Sequence, residues 1–207
     1  MPRGGIFLTV FGKSPEKQNN FISDKKVMAS TWVLLHSIPP SGKTYVLDDP
    51  AIWAGPMAEF SLSCTVLEPL RAEFTVLVQD DGVLIRGSVT GRVALPCNRC
   101  AEDALVDIDQ RVDTYEVFPP EDEDGDPIEV DAELLRYAPS GQGIEMNLAA
   151  LAWEEFLLAL PMKPLCDPAC KGLCPVCGVN NNTASCACAT DAADPRMAPL
   201  RGLKVGR

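Results

Sequence analysis

From Glu59 onward apolar and polar residues alternate, and many of the apolar ones are β-branched, which is the periodicity of strands buried on one face. The alternation predicts strands over 60–67, 71–79, 83–95 and 104–118. Asp80-Asp81-Gly82 joins the second to the third, and Asp-Gly between alternating segments marks a hairpin because glycine supplies the positive φ of the turn. Gly87 and Gly91 inside the long third strand predict bulges or a sharp bend. The following turn carries Cys97, so the expectation is an antiparallel meander with a cysteine at its last corner.

On either side the pattern changes. Residues 28–57 are rich in Pro, Gly and Ser, with a short strand over 31–35 as the single element suggested there. Pro119 to Glu133 holds eight acidic residues and reads as a solvated linker, since such a run buries too little apolar area to offset its ordering entropy. Its acids lack the spacing of an EF-hand. Asn147 is a candidate N-cap for a helix over 148–160, which Pro161 ends. Apart from Glu154 and Glu155 that helix is apolar nearly all round, so it is expected to be buried across the sheet, with Trp153 and Phe156 in the core. A cysteine-rich knob over 162–188 follows, then a tail with Arg196, Arg201, Lys204 and Arg207.

The chain therefore divides into an extension (1–27), a mainly β domain (28–118), an acidic linker (119–146) and a helix with knob and basic tail (147–207). The predicted class is α+β: an antiparallel β-meander or partly open barrel, one buried helix, and a small zinc-ribbon-like C-terminal knob. The 207 residues, 46% of them hydrophobic, suffice for one domain with a satellite element.

Charge narrows the partners. Against 18 Lys and Arg stand 29 Asp and Glu, a net −11 that repels phosphate backbones and anionic membranes. Residues 1–27 run the other way, with Arg3, Lys13, Lys17, Lys25 and Lys26 against Glu16 and Asp24. Their apolar run Ile6–Phe11 is too short for a secretory core or a membrane span. A start assigned upstream of a native Met28, or a transit peptide, accounts for this foreign composition, and the segment is set apart from the fold.

Eight of nine cysteines form close pairs: Cys97-x2-Cys100, Cys166-x3-Cys170, Cys174-x2-Cys177 and Cys186-x-Cys188. Without a secretory context such pairs read as metal ligands, and the cytoplasm is the default compartment. Thiolates two residues apart face one ion across a tight turn and suit tetrahedral zinc. In Leu173-Cys174-Pro175-Val176-Cys177-Gly178 the glycine lets backbone amides turn toward the sulfurs, as in a zinc knuckle. One or two structural zinc ions are expected. The sequence-local pairing places Cys174, Cys177, Cys186 and Cys188 on one ion, and Cys97 and Cys100 with Cys166 and Cys170 on another, stapling the knob to the β domain. The alternative groups Cys166, Cys170, Cys174 and Cys177, and leaves Cys97 and Cys100 to meet Cys186 and Cys188. Cys64, inside a predicted strand, reads as a core thiol.

Other chemistries fit less well. Cys170-x3-Cys174-x2-Cys177 has radical-SAM spacing, but only about thirty residues follow where a barrel would be needed. Cys97 and Cys100 lack the βαβ setting of a thioredoxin-like redox pair. Ser41-Gly42-Lys43-Thr44 ends like a Walker A loop, yet Ser37 stands where its first glycine belongs. The single histidine, His36, has no acid–base partner in the pattern. A scaffold or binding module is expected rather than an enzyme, without a small-molecule substrate or membrane, and the rival is a redox or iron–sulfur protein using the same cysteines.

One ordered set of segments resembles a known family. Leu95-Pro96-Cys97-Asn98-Arg99-Cys100, the acidic stretch, the helix from Asn147-Leu148 through Glu154-Glu155 to Leu158-Ala159-Leu160-Pro161, the Cys166–Gly178 run and Asp194-Pro195-Arg196 together resemble the YceD family of large ribosomal RNA subunit accumulation proteins, over roughly 60–205. The resemblance implies a ribosome-assembly role in accumulation or processing of large-subunit (23S) ribosomal RNA, in a family whose bacterial genes often neighbour that of a small ribosomal protein. Arg99, Lys163, Lys171 and the basic tail would supply a local RNA patch. A basic ribosomal protein drawn to the acidic face fits the electrostatics at least as well.

Overall fold

The computed structural model describes residues 31–120 and 134–188. The expectations for 1–27, for 121–133 of the acidic stretch and for the basic tail lie outside the described residues. Within them the order is β1 (Trp32–Leu34), β2 (Lys43–Leu47), α1 (Pro50–Glu59), β3 (Thr65–Val78), β4 (Gly82–Pro96), β5 (Asp103–Val117), β6 (Leu135–Tyr137), β7 (Ile144–Asn147) and α2 (Leu148–Ala159). Two antiparallel sheets result, a four-stranded meander ordered β2-β3-β4-β5 and a three-stranded sheet ordered β1-β7-β6. The architecture is thus α+β, with two open sheets and no closed barrel among the described residues.

The meander follows from its alternation. Along β5 the even positions Ala104, Ile108 and Val112 are buried, and the odd ones face solvent. At 15 residues each, β4 and β5 span about 50 Å. They pair in one unbroken register from Gly82↔Val117 to Pro96↔Asp103, and this long ribbon carries the Cys97 corner far from the 79–82 turn. On the outer face Arg86 pairs with Asp113 at 3.2 Å, and Arg92 bridges Glu68 at 2.9 Å and Asp107 at 2.5 Å. Exposed pairs of this kind add little stability. They do turn that face into a mosaic of both signs.

Three expectations about the elements themselves are corrected. The strands predicted over 60–67 and 71–79 are one strand, β3, whose register with β4 slips between Val66 and Glu68 and again between Glu68 and Arg71. Pro69 sits in the second irregularity, where its missing N–H costs no ladder bond, and the slip breaks the period-two pattern there. The helix expected alone has a companion. In α1, Asp49 Oδ1 accepts from the Ala51 N–H at 2.9 Å and Pro50 occupies the first turn, so local capping overrides the discouraging Gly55 and Pro56. The stretch expected to be linker over 119–146 contains β6 and β7, held by Leu135 and Met146 in the core, with Arg136 paired to Glu145 at 2.6 Å and lying 3.7 Å over the Trp32 ring.

Helix α2 starts where predicted, with Asn147 Oδ1 accepting from the Ala150 N–H at 3.2 Å, and its last helical residue is Ala159. It seats Leu148, Leu151, Ala152 and Phe156 against the meander and against α1, where Trp53 meets the Phe156 ring edge-on at 5.8 Å between centroids. Its burial is one-sided rather than complete: Leu158 is 66% exposed, and Trp153 is half-buried beneath a stacked Phe60. The expectation of burial nearly all round is corrected accordingly, because the helix lies on a sheet edge strand with one flank open.

A candidate metal centre of two tetracysteine groups

The four cysteine pairs converge as two groups: Cys97, Cys100, Cys166 and Cys170; and Cys174, Cys177, Cys186 and Cys188. Within each group all sulfurs lie within 4.8 Å of one another. Cys100 and Cys166 are 3.5 Å apart and Cys97 and Cys170 3.9 Å. A tetrahedral ion with Zn–S near ~2.3 Å places its sulfurs about 3.8 Å apart, so these separations fit a single ion. They are far longer than a disulfide bond, and all nine cysteines are free. Either group can hold a metal ion.

The two groups are built on the same turn. In the first, the Cys97 N–H donates to Glu102 O at 2.8 Å and the Ala101 N–H to Cys97 O at 2.9 Å. In the second, the Cys174 N–H donates to Val179 O at 2.8 Å and the Gly178 N–H to Cys174 O at 2.9 Å. The residue after the second cysteine takes a left-handed conformation in both, with φ of +61° at Ala101 and +74° at Gly178. Glycine adopts this without a Cβ penalty, whereas alanine is strained by roughly 1 kcal/mol. Ala101→Gly is therefore expected to raise stability by up to about 1 kcal/mol, and Gly178→Ala to lower it by a similar amount, as read from paired denaturant melts of the metal-loaded protein.

Backbone amides aimed at the sulfurs set the electrostatics. The Cys97 thiol is held down at about 6, chiefly by the backbone N–H of Cys166 and further by those of Arg99 and Cys100; the Arg99 N–H lies 3.4 Å from Cys97 Sγ. The Cys174 thiol is likewise lowered to about 6 by the N–H groups of Cys177 and Val176. Their neighbours respond in the opposite sense. Cys166, hydrogen-bonded to the Cys100 and Cys170 sulfurs, is pushed up to about 12, and Cys188, bonded to those of Cys177 and Cys186, to about 12. Four sulfurs this close cannot all be anionic on their own, and a bound cation removes that conflict. The donor set suits a thiophilic ion.

The first group joins distant parts of the chain. Cys97 and Cys100 sit on the β4–β5 corner, while Cys166 and Cys170 follow α2. Around them the Asn98 N–H donates to Pro164 O at 2.8 Å and the Leu173 N–H to Arg99 O at 3.0 Å. The Arg99 guanidinium donates to Cys170 O at 2.8 Å and Pro168 O at 3.3 Å. Arg99, expected in an RNA patch, is thus spent on clamping the knob, and Lys163 and Lys171 remain exposed. Gly172, at φ +73°, passes 3.0 Å from Arg99 O measured at the position a Cβ would take, so the clamp requires glycine there.

Other candidates fall outside the groups. Cys64 packs half-buried against the main core, and burial pushes its thiol up. His36 is exposed near Gly143 of the β6–β7 turn. The Ser41–Thr44 segment simply enters β2, where Thr44 Oγ1 bonds Thr75 Oγ1 at 2.8 Å. The radical-SAM-like triplet is divided, Cys170 belonging to one group and Cys174 and Cys177 to the other. Sequence reasoning missed Asn182, whose side-chain amide donates to Cys170 Sγ at 3.2 Å. The triple asparagine 180–182 between Cys177 and Cys186 has turn-forming composition, but nothing in it names the sulfur that Asn182 meets.

Fold and cysteine geometry together define an α+β protein in which one tetracysteine group joins a small C-terminal knob to an antiparallel ribbon and a second lies within the knob. The family model for "Large ribosomal RNA subunit accumulation protein YceD" matches residues 85–204, and the chain belongs to that family. The matched region takes in all eight clustered cysteines. Uncharacterized proteins of Mycobacterium bovis and Mycobacterium tuberculosis are 30% identical over 139 aligned positions, covering 60% of this chain and 64% of theirs, just under two thirds of the relatives' length. No solved structure matches.

Proposed function

We propose that this protein is a non-enzymatic, cytoplasmic ribosome-assembly factor that promotes accumulation or processing of large-subunit (23S) ribosomal RNA, and that each tetracysteine group holds one structural zinc ion. Family membership carries the first half of this reading. The second rests on two compact sets of four sulfurs with single-ion spacing. The eight ligands would be Cys97, Cys100, Cys166 and Cys170 at one ion, and Cys174, Cys177, Cys186 and Cys188 at the other. Action is by binding, with a ribosomal RNA precursor or a basic ribosomal protein as partner. The net charge of −11 favours the protein partner, because diffuse contact with phosphates would be repulsive.

The rival redox or iron–sulfur reading uses the same residues. In a [4Fe–4S] cluster the four thiolates ligate four different irons from outside, and in a [2Fe–2S] cluster two thiolates flank each of two irons, so both need a wider spread than four sulfurs all within 4.8 Å of one another. The purified protein should accordingly be colourless and contain zinc. Absorption near 400 nm with iron in place of zinc would sink the zinc reading. For the cellular role, depletion should lower mature large-subunit ribosomal RNA, or leave its precursors to build up, relative to the small-subunit RNA. Unchanged levels of both would remove the assembly role.

A further inference from the structure

Asn182 lies in the eight-residue loop between Cys177 and Cys186 of the second group, yet its Nδ2 donates to a sulfur of the first, Cys170 Sγ, at 3.2 Å. We propose that Asn182 is a positioning residue through which closure of the second site tightens the first, so that the two metal ions bind with positive linkage. The inference rests on the two-ion reading above.

The loop presents this amide in one orientation. Asn182 Oδ1 accepts from the Lys171 N–H at 2.7 Å, which fixes the amide plane and leaves Nδ2 facing the sulfur. The same Nδ2 also donates to Asn180 Oδ1 at 2.8 Å, and the Asn182 N–H bonds that oxygen at 3.0 Å. Asn180 is itself placed by a bridge to Leu173, and the Asn181 N–H donates to Gly172 O at 2.9 Å. Each of these anchors lies in 170–174, the segment that links a cysteine of the first site to one of the second. The Cys174 N–H bond to Val179 O holds the near end of the loop, and Cys186 with Cys188 hold the far end.

An N–H donated to an anionic sulfur is a charge-assisted bond, and groups of this kind around metal ligands typically alter affinity 10- to 100-fold. At Cys170 the sulfur faces both the Asn182 amide, at 3.2 Å, and the backbone N–H of Gly172. The Gly172 amide belongs to the chain just past Cys170 itself. On this proposal the Asn182 amide is seated by closure of the loop on its own ion: with Cys186 and Cys188 released the loop has lost its far anchors, and its bonds to 170–174 alone do not keep the donor on Cys170. By linkage the first ion favours closure of the second site to the same degree.

The test uses zinc alone, titrated into the reduced full chain against a chromophoric chelator. In the two-site protein Asn182→Ala should lower the product of the two association constants by about 10- to 100-fold. In a Cys186→Ser background, with only the first site left, the same change should alter that site by less than about twofold, because the donor is already gone. In a Cys97→Ser background, with only the second site left, it should again have little effect. Asn182→Asp, which keeps the acceptor for Lys171 but sets a carboxylate oxygen on the sulfur, should weaken the two-site protein further than alanine does. With Co²⁺ as probe, Asn182→Ala should move the thiolate-to-metal charge-transfer band to lower energy, which a loop defect without contact to sulfur would not do. An unchanged product overturns the proposal. So does an equal loss in the Cys97→Ser chain, which would make Asn182 a shaper of its own loop only. A wild-type chain that takes up no zinc overturns the two-ion reading itself, whereas two ions bound without linkage overturn this inference alone.

Discussion

Cys97→Ser is expected to cut bound zinc from two ions per chain to one, and Cys174→Ser to do the same by emptying the other site. Cys97 is 3% exposed and its sulfur sits 3.9 Å from that of Cys170, facing three donated backbone N–H groups. A serine hydroxyl there stays neutral near pH 7 and offers a harder, shorter-reaching donor, so only three thiolates remain for an ion that structural sites bind with four. Structural zinc contributes about 10–16 kcal/mol of apparent binding energy in small metal-dependent folds, so losing one ligand moves a site from saturated to largely empty under a modest chelator challenge. The pattern of loss checks the pairing as well. Cys97→Ser and Cys166→Ser should empty the same site, and Cys97→Ser combined with Cys186→Ser should empty both. Native mass spectrometry with elemental zinc analysis reads all of these. If Cys97→Ser and Cys186→Ser each left one ion and their combination still left one, the alternative grouping of those four residues would replace the one described here.

How much of this was readable beforehand depends on how local the signal is. β4 and β5 were predicted within one residue at each end, since Val83, Ile85, Val89 and Val93 on one strand and Ile108 and Val112 on the other mark a buried face by strict alternation. β3 divides into two expected strands because a bulge at Pro69 interrupts that same signal. For α1 the cap was present in Asp49-Pro50, but Gly55 and Pro56 in a ten-residue helix weigh against it until Trp53 and Met57 are seen to pack. β6 and β7 have three and four residues, too short for periodicity to rise above the acidic composition beside them. The ligand pairs were legible from spacing, and the second group from proximity alone. That Ala101 copies the backbone of Gly178, that Arg99 turns inward and that Asn182 reaches across to Cys170 are tertiary facts, with no trace in any window of the sequence.

Removal of zinc is expected to release 164–188 while the two sheets and both helices stay folded. The reason is the contrast between two cores. The main one joins Phe74, Phe156, Ile85, Met146, Leu148 and Leu151 with eighteen further buried residues from both sheets and both helices, 24 in all. The cluster where the knob meets the β4–β5 corner consists of Cys97, Cys100, Ala104 and Cys170 with Leu165 against it, and three of those four buried members are cysteines of the first group. Beyond it the segment is held by hydrogen bonds that bury little apolar area: the Leu173↔Asn180 bridge, the bonds of Asn181 and Asn182 to Gly172 and Lys171, and the clamp around Arg99. Ordering backbone costs about 1–2 kcal/mol per residue, which so small an apolar cluster cannot offset without the metal–sulfur bonds. Trypsin gives the readout. Lys171 lies exposed within the knob, whereas Arg86 and Arg92 lie inside paired strands. With zinc bound, cleavage after Lys171 should be slow; with a strong chelator it should accelerate by a hundredfold or more, the ~2.7 kcal/mol scale expected when a ligand at 100 times its dissociation constant is withdrawn. Cleavage after Arg86 and Arg92 should stay slow in both conditions, and the strand signal in far-UV circular dichroism should persist. Equal cutting after Lys171 with and without chelator would mean that the knob stands on its own contacts, and would leave the tetracysteine groups without a structural role.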